Sequence, residues 1–246
     1  MQNLNREQYT TAVQGWIYAK TDPKRLSELF PENYIFNFTS EQVDWLRKNN
    51  ANKEFCAEVG VMEGKLTVML CPLDEKGNKM EVGEVPFSVF EPLNEDLKLT
   101  EIQTYTVVKN AVLSKEMRKI DNDSDTFFPL AGKPIMEQDI AIDCIESWQE
   151  NGQDWFYAEY KQNGGKSIFN KFYVPFDKIS KSELEVSFVC SFGLKYSEIY
   201  QKQLPALIFI SFVKNLGGSV ETISNTYDYA KPCPPICKIP DLDFGG

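Results

Sequence analysis

The sequence predicts an α+β fold, a tandem duplication of an α-β-β-β-α unit whose antiparallel sheets are covered by helices. Three observations carry this expectation. The stretch Phe55–Asp74 aligns with Phe156–Asp177 through Phe55 and Phe156, Ala57 and Ala158, Glu58 and Glu159, Gly64 and Gly165, and Lys65 and Lys166. The same register returns downstream at Glu84 and Glu185, Val85 and Val186, and Phe87 and Phe188. The order of elements read around the two stretches agrees as well, which is the mark of an internal repeat.

The elements follow in order. Residues 5–20 read as a helix with Tyr9, Val13, Trp16 and Ile17 at helical spacing on one face. Asp22-Pro23 opens a short helix to about Phe30, because proline suits the first turn. Thr39-Ser-Glu-Gln42 is a capping box for a helix through Lys48 that buries Val43 and Leu46. Strands are expected at Phe55–Val61, Lys65–Cys71 and Glu84–Phe90, the last half-buried through Val85, Phe87 and Val89. Thr100-Glu-Ile-Gln103 is a second capping box, for a helix to about Lys119, although its β-branched residues leave a strand open.

The second copy repeats this order. A helix near Gln138–Gln149 precedes strands near Trp155–Lys161, Ser167–Val174 and Glu185–Ser191. A helix then runs to Leu216, with Pro205 in its first turn and Gly217-Gly218 past its end. The organisation expected is an N-terminal helical extension (1–38), a first repeat (39–120), an acidic linker (121–134), a second repeat (135–218) and an irregular tail (219–246).

Gly164-Gly165-Lys166-Ser167 has the closing letters of a phosphate-binding loop, but Tyr160 stands where that loop needs its first glycine. Aromatic segments on both sides make Asn163-Gly164-Gly165 a hairpin turn, with Lys166 an exposed hairpin lysine. Asp121, Asp123 and Asp125 imitate the start of a calcium loop, yet Thr126 and Gly132 replace its required Gly and Glu. A solvated linker is the expected reading. Asp243-Phe244-Gly245 has no accompanying kinase motif and carries no function.

Composition narrows the function. The chain has 246 residues, 26 basic and 36 acidic, for a net charge of −10. Nucleic acid and anionic membrane surfaces are therefore not expected partners. No signal-like apolar core opens the chain, and the run Ala206–Val213 is too short to span a bilayer, so a cytoplasmic location is expected. The chain contains no histidine, which removes Ser-His and Cys-His nucleophile pairs and His-ligated zinc. Cys56, Cys71, Cys144 and Cys190 sit in apolar patterns, as buried free cysteines do. Cys233 and Cys237 form a candidate thiol pair in the proline-rich tail, for a disulfide or a shared intermolecular metal.

The repeat-equivalent carboxylates Glu58, Glu159, Glu84 and Glu185 are the remaining candidates for paired acid chemistry. Alternation places Glu58 opposite Phe55, Ala57 and Val59, and Glu84 opposite Val85, Phe87 and Val89, so a polar strand face is the expected reading. No cofactor or metal is called for. The function expected is a non-enzymatic adaptor that recognises another protein through an aromatic-rich sheet face or the tail. The alternative is a small-molecule-binding protein or carboxylate-dependent enzyme with a pocket between the two repeats.

Overall fold

The structure is a computed structural model that describes residues 2–99, 106–109, 112–113, 119–121, 124–127, 138–176, 185–214, 222–227 and 231–237. It is a mixed helix and sheet fold. The chain begins with β1 (Asn3–Asn5), α1 (Arg6–Ala19), α2 (Pro23–Leu29), β2 (Tyr34–Thr39) and α3 (Ser40–Asn49). The meander β3 (Glu54–Met62), β4 (Lys65–Cys71) and β5 (Glu84–Pro92) follows. Two short ladders pair β6 (Thr106–Lys109) with β9 (Ser124–Phe127), and β7 (Val112–Leu113) with β8 (Lys119–Asp121). The long helix α4 (Gln138–Asn163) leads to β10 (Lys171–Pro175), β11 (Glu185–Ser197), β12 (Lys202–Lys214), β13 (Thr222–Tyr227) and β14 (Lys231–Cys233).

One antiparallel sheet runs in the order β13-β12-β11-β2-β5-β4-β3-β10-β14, and β1 adds to β5 end to end with β2. The sheet curls until it nearly closes into a barrel, and β14 comes to lie against β12. Phe55 on β3 meets Phe209 on β12 across the interior, with ring centroids 5.8 Å apart. The interior is solid. Phe36, Phe38, Phe90, Phe172, Phe188 and Phe192 fill it from the strands, and Trp16, Phe30, Phe156 and Phe169 plug it from the helices and the loop after α4. Phe30 lies 4.6 Å from Phe156 and 5.2 Å from Phe192, and aromatic pairs of this kind add about 0.5–1.5 kcal/mol beyond area burial.

From α1 to β5 the predicted elements follow their local signals. Asn5 and Gln8 form the capping box of α1, and Thr39 and Gln42 form that of α3. Val43 and Leu46 are buried, and β3, β4 and β5 lie where alternation puts them. The buried face of α1 is Ala12, Trp16 and Ala19, while Ile17 is exposed. Small residues set that face: a Cβ on Gly60 would lie 2.9 Å from Ala12 Cβ, so helix and strand approach closely. The second face of β3 is thereby covered by α1 and is not solvated.

The duplication is not borne out. Phe55 lies in a strand and Phe156 in α4, and Phe87 and Phe188 lie in strands of different surroundings, β5 and β11. Trp155–Lys161 continues the helix, because Ala141, Cys144, Trp148, Gly152, Phe156 and Glu159 recur at intervals of three and four on its buried face. Gly164 and Gly165, at φ 61° and 81°, end α4 and turn the chain back, so Asn163-Gly164-Gly165 is a helix terminus and not a hairpin. Lys166 is exposed there.

The expected helix over Ala206–Val213 is the strand β12, paired with β11 on one side and with β13 from Phe209 onward on the other. An apolar run of that length does not separate buried strand from helix by periodicity. Among the described residues the pairing of β12 with β13 begins at Phe209, so Pro205 stands outside that ladder and its missing N–H costs no bond there. The helix expected over 100–119 is replaced where described by β6, β7 and the start of β8, and residues 100–105 lie outside the described residues. Asp121 ends β8 and Asp125 lies in β9, while Asp123 lies outside the described residues. The tail is partly ordered into the fold: β14 pairs with β10, and Pro232 and Cys233 are buried. Residues 238–246 lie outside the described residues.

Candidate functional site

Four elements converge on Glu58. Alternation along β3 turns its side chain away from the barrel interior and under α1, where the residue is 7% exposed. The first turns of α1 bring Tyr9, and β4 ends at Cys71. Lys79 comes from the β4–β5 connection, which Asp74 folds into a tight turn. Asp74 Oδ1 accepts from the backbone N–H groups of Lys76 at 2.9 Å and Asn78 at 2.8 Å. Gly77 takes φ 85° in that turn, and Lys79 then bridges back to Leu73.

Three donors meet at one oxygen, Glu58 Oε2. Lys79 Nζ donates at 2.8 Å, the Tyr9 hydroxyl donates in a short contact, and the Cys71 thiol lies at 3.8 Å. Lys79 Nζ also donates to the Tyr9 hydroxyl oxygen and lies 4.9 Å from the Tyr9 ring centroid. The electrostatics follow. Burial, then the negative charge of Cys71 and Glu58, holds the Tyr9 hydroxyl far above the usual phenol range. Burial and the Glu58 charge push the Cys71 thiol well up. At Lys79 burial favours loss of the proton, but the adjoining negative groups, Glu58 foremost, outweigh it and raise the pKa. At neutral pH the site is thus a phenol, a thiol and an ammonium.

Above this network lies a cleft of about 530 Å³ lined by Arg6, Tyr9, Cys71, Lys79, Val82 and Val85, among others. Lys79 makes two hydrogen bonds among the described residues, and its ammonium has three N–H groups, so one is left for a ligand. Arg6 and Glu81 stand 3.6 Å apart at the mouth, both largely exposed.

The other candidate carboxylates are scattered. Glu159 is buried on α4, where Lys202 Nζ donates to Oε1 at 2.7 Å, and Oε2 is buried without a hydrogen-bond partner among the described residues. Glu84 is exposed and accepts from Asn3 Nδ2 at 2.9 Å. Glu185 begins β11 opposite Val213, and its side chain lies outside the described residues. Among the described side chains Glu58, Glu84 and Glu159, no two share a site. The pocket expected between repeats is replaced by the packed interior, where a void of about 10 Å³ lies among Phe38, Phe55, Phe188 and Phe209, too small for more than a single water.

Cys233 and Cys237 are joined in a disulfide, and Cys56, Cys71, Cys144 and Cys190 are free and buried. Among the described residues no group of three or more His, Cys, Asp or Glu side chains is placed to hold a metal ion, and no helix is long and apolar enough to cross a membrane. The reading from sequence found Glu58 but not its partners. Tyr9 was visible only as part of a helix face, and no sequence signal singled out Lys79. No protein-family model matches the chain, and no curated protein or solved structure matches it.

Proposed function

We propose that the protein binds a small polar ligand in the cleft over Tyr9 and Lys79 and performs no chemistry on it. The observation that carries this reading is the Tyr9–Glu58–Lys79 network at the base of an open cleft of about 530 Å³. A buried carboxylate with converging donors beside a cleft is a common mark of a binding or active site. The protonation states favour binding. A general acid or base works best with a pKa near the operating pH, and Tyr9, Cys71 and Lys79 are all held on the protonated side of neutrality.

A thermal-shift screen of small metabolites tests this. A ligand present at a hundred times its Kd adds about 2.7 kcal/mol, a rise of roughly 5–10 °C for a domain of this size. The expected hit raises the melting temperature of the native protein and not that of Lys79→Met. Hits that act equally on both proteins, or a screen without hits, would sink the proposal.

A protein-binding adaptor retains one supporting observation. The tip of the β11–β12 hairpin exposes Tyr196, Ile199 and Tyr200, with Ile199 88% exposed. Of the aromatic residues between 155 and 173, Phe169, Phe172 and Tyr173 are buried and Trp155 is partly buried, while Tyr157 on α4 is exposed. A photo-crosslinking residue at position 199 that captures no discrete partner would remove this second reading.

A further inference from the structure

The geometry points to a second binding site, between α2 and α4, for a neutral polyhydroxylated ligand of one or two sugar rings. This site is independent of the Tyr9 cleft. It is a cleft of about 360 Å³ lined by Ser27, Glu32, Trp148, Gln149, Gly152 and Gln153, together with Phe30 and Pro31. That volume lies at the low end for small-molecule sites.

Gln149 and Gln153 stand one helical turn apart on α4 and share a face. Each is held by one half of its amide. The backbone N–H of Asn33 donates to Gln149 Oε1 at 3.0 Å, and Gln153 Nε2 donates to the Phe30 carbonyl oxygen at 3.1 Å. These backbone partners fix which way each amide faces, since an N–H needs an oxygen and a carbonyl needs an N–H. The remaining halves are complementary: Gln149 offers its NH₂ donors and Gln153 its Oε1 acceptor. One hydrogen bond restrains each side chain, which lowers the side-chain entropy that a ligand bonding to both would cost.

Trp148 and Phe30 close the bottom of the cleft and are themselves nearly buried, 5% and 6% exposed. Trp148 is stacked against Phe192 with centroids 5.1 Å apart, and a Cβ on Gly152 would lie 3.1 Å from two of its indole carbons. Glycine at that position keeps a larger side chain off the ring. The lining carries one carboxylate, Glu32, and no cation, and the chain's net charge is −10, so an anion is disfavoured. A sugar fits this combination. Each hydroxyl both donates and accepts, matching donors and acceptors set side by side.

The test uses the full chain with glucose, galactose, N-acetylglucosamine, maltose and cellobiose. Binding is followed by calorimetry and by the side-chain amide NMR signals of Gln149 and Gln153. At least one sugar is expected to shift both signals saturably. Gln149→Glu keeps the oxygen that holds the Asn33 N–H but removes the free donors, so affinity should fall about tenfold or more. The melting temperature of that variant should be unchanged, and Lys79→Met should leave sugar binding intact. The inference is overturned if none of the sugars moves the two amides, or if binding survives Gln149→Glu undiminished. It is equally overturned if tetramethylammonium or inorganic phosphate occupies the cleft and the sugars do not.

Discussion

Two lysines fasten the ends of α1 to the barrel, and their surroundings are electrostatically opposite. Near the N-terminal end Lys79 meets the Glu58 carboxylate at 2.8 Å, with Tyr9 completing the contact. At the C-terminal end Lys20 is buried and, among the described residues, meets neutral oxygens alone, the Ile168 carbonyl at 3.1 Å and Asn170 Oδ1 at 2.7 Å. Trp16 reinforces that end by donating its indole N–H to the Phe169 carbonyl at 2.7 Å. Burial without a counter-charge brings the Lys20 pKa down to about 8, whereas carboxylate and burial together leave that of Lys79 raised. Burial alone therefore does not define a site. The end with a full charge pair opens onto a cleft where a ligand can reach the ammonium, and the other end is a closed structural clasp.

The largest effect should come from breaking the closed end. A Cβ on Gly165 would lie 2.1 Å from the Lys20 carbonyl oxygen, at a φ of 81° that disfavours L side chains. Gly165→Ala is expected to cost about 3 kcal/mol or more, read as a loss of roughly 6–12 °C in melting temperature. An unshifted melting curve would show that the turn does not seat α1 as described. Next comes the open end. Glu58→Gln removes the acceptor charge shared by Lys79 and Tyr9, and since Lys79 is part-exposed and can turn to water, the cost should be about 2–3 kcal/mol in denaturant unfolding.

The two lysines should also separate by pH. The folded pKa of Lys20 is depressed from 10.5 to about 8, so the unfolded chain binds the extra proton between those values. Relative to Lys20→Met, stability should rise from pH 8 to 10.5, with a limiting slope of about 1.4 kcal/mol per pH unit. The folded pKa of Lys79 is raised, so its contribution is fully present below 10.5 and is lost only as pH climbs through the folded value. A flat difference between native protein and Lys20→Met across that window would contradict the contrast. The smallest effect belongs to Lys166→Ala. That side chain is exposed beside Gly165, and removing it should change stability by no more than a few tenths of a kcal/mol.

How much of this was legible depends on the range of the forces involved. The caps at Asn5 and Thr39 act within three residues, so α1 and α3 follow from local sequence. The alternation of β3 to β5 is likewise local. The Glu58 site joins residues 9, 58, 71 and 79, and only the crossing of α1 over β3 brings Tyr9 to the carboxylate. In the Gln149 cleft, the orientation of both amides is set by backbone groups of Phe30 and Asn33 on a distant stretch of chain.

The matched residues of the apparent repeat show the same division. Phe55 and Phe156 share identity and burial, yet one occupies a strand and the other a helix. An aromatic residue signals that it will be buried, but not the period of the segment around it. By itself the sequence determined the mixed helix and sheet class, the capped helices of the first half, the buried cysteines and the exclusion of histidine chemistry. Only the tertiary structure decided that Ala206–Val213 is a strand, that Glu58 is buried, and which side chains it meets. Helix caps and residue patterns act over a few bonds. Sheet pairing, barrel closure and the burial of a charge depend on which distant segments fill the same space.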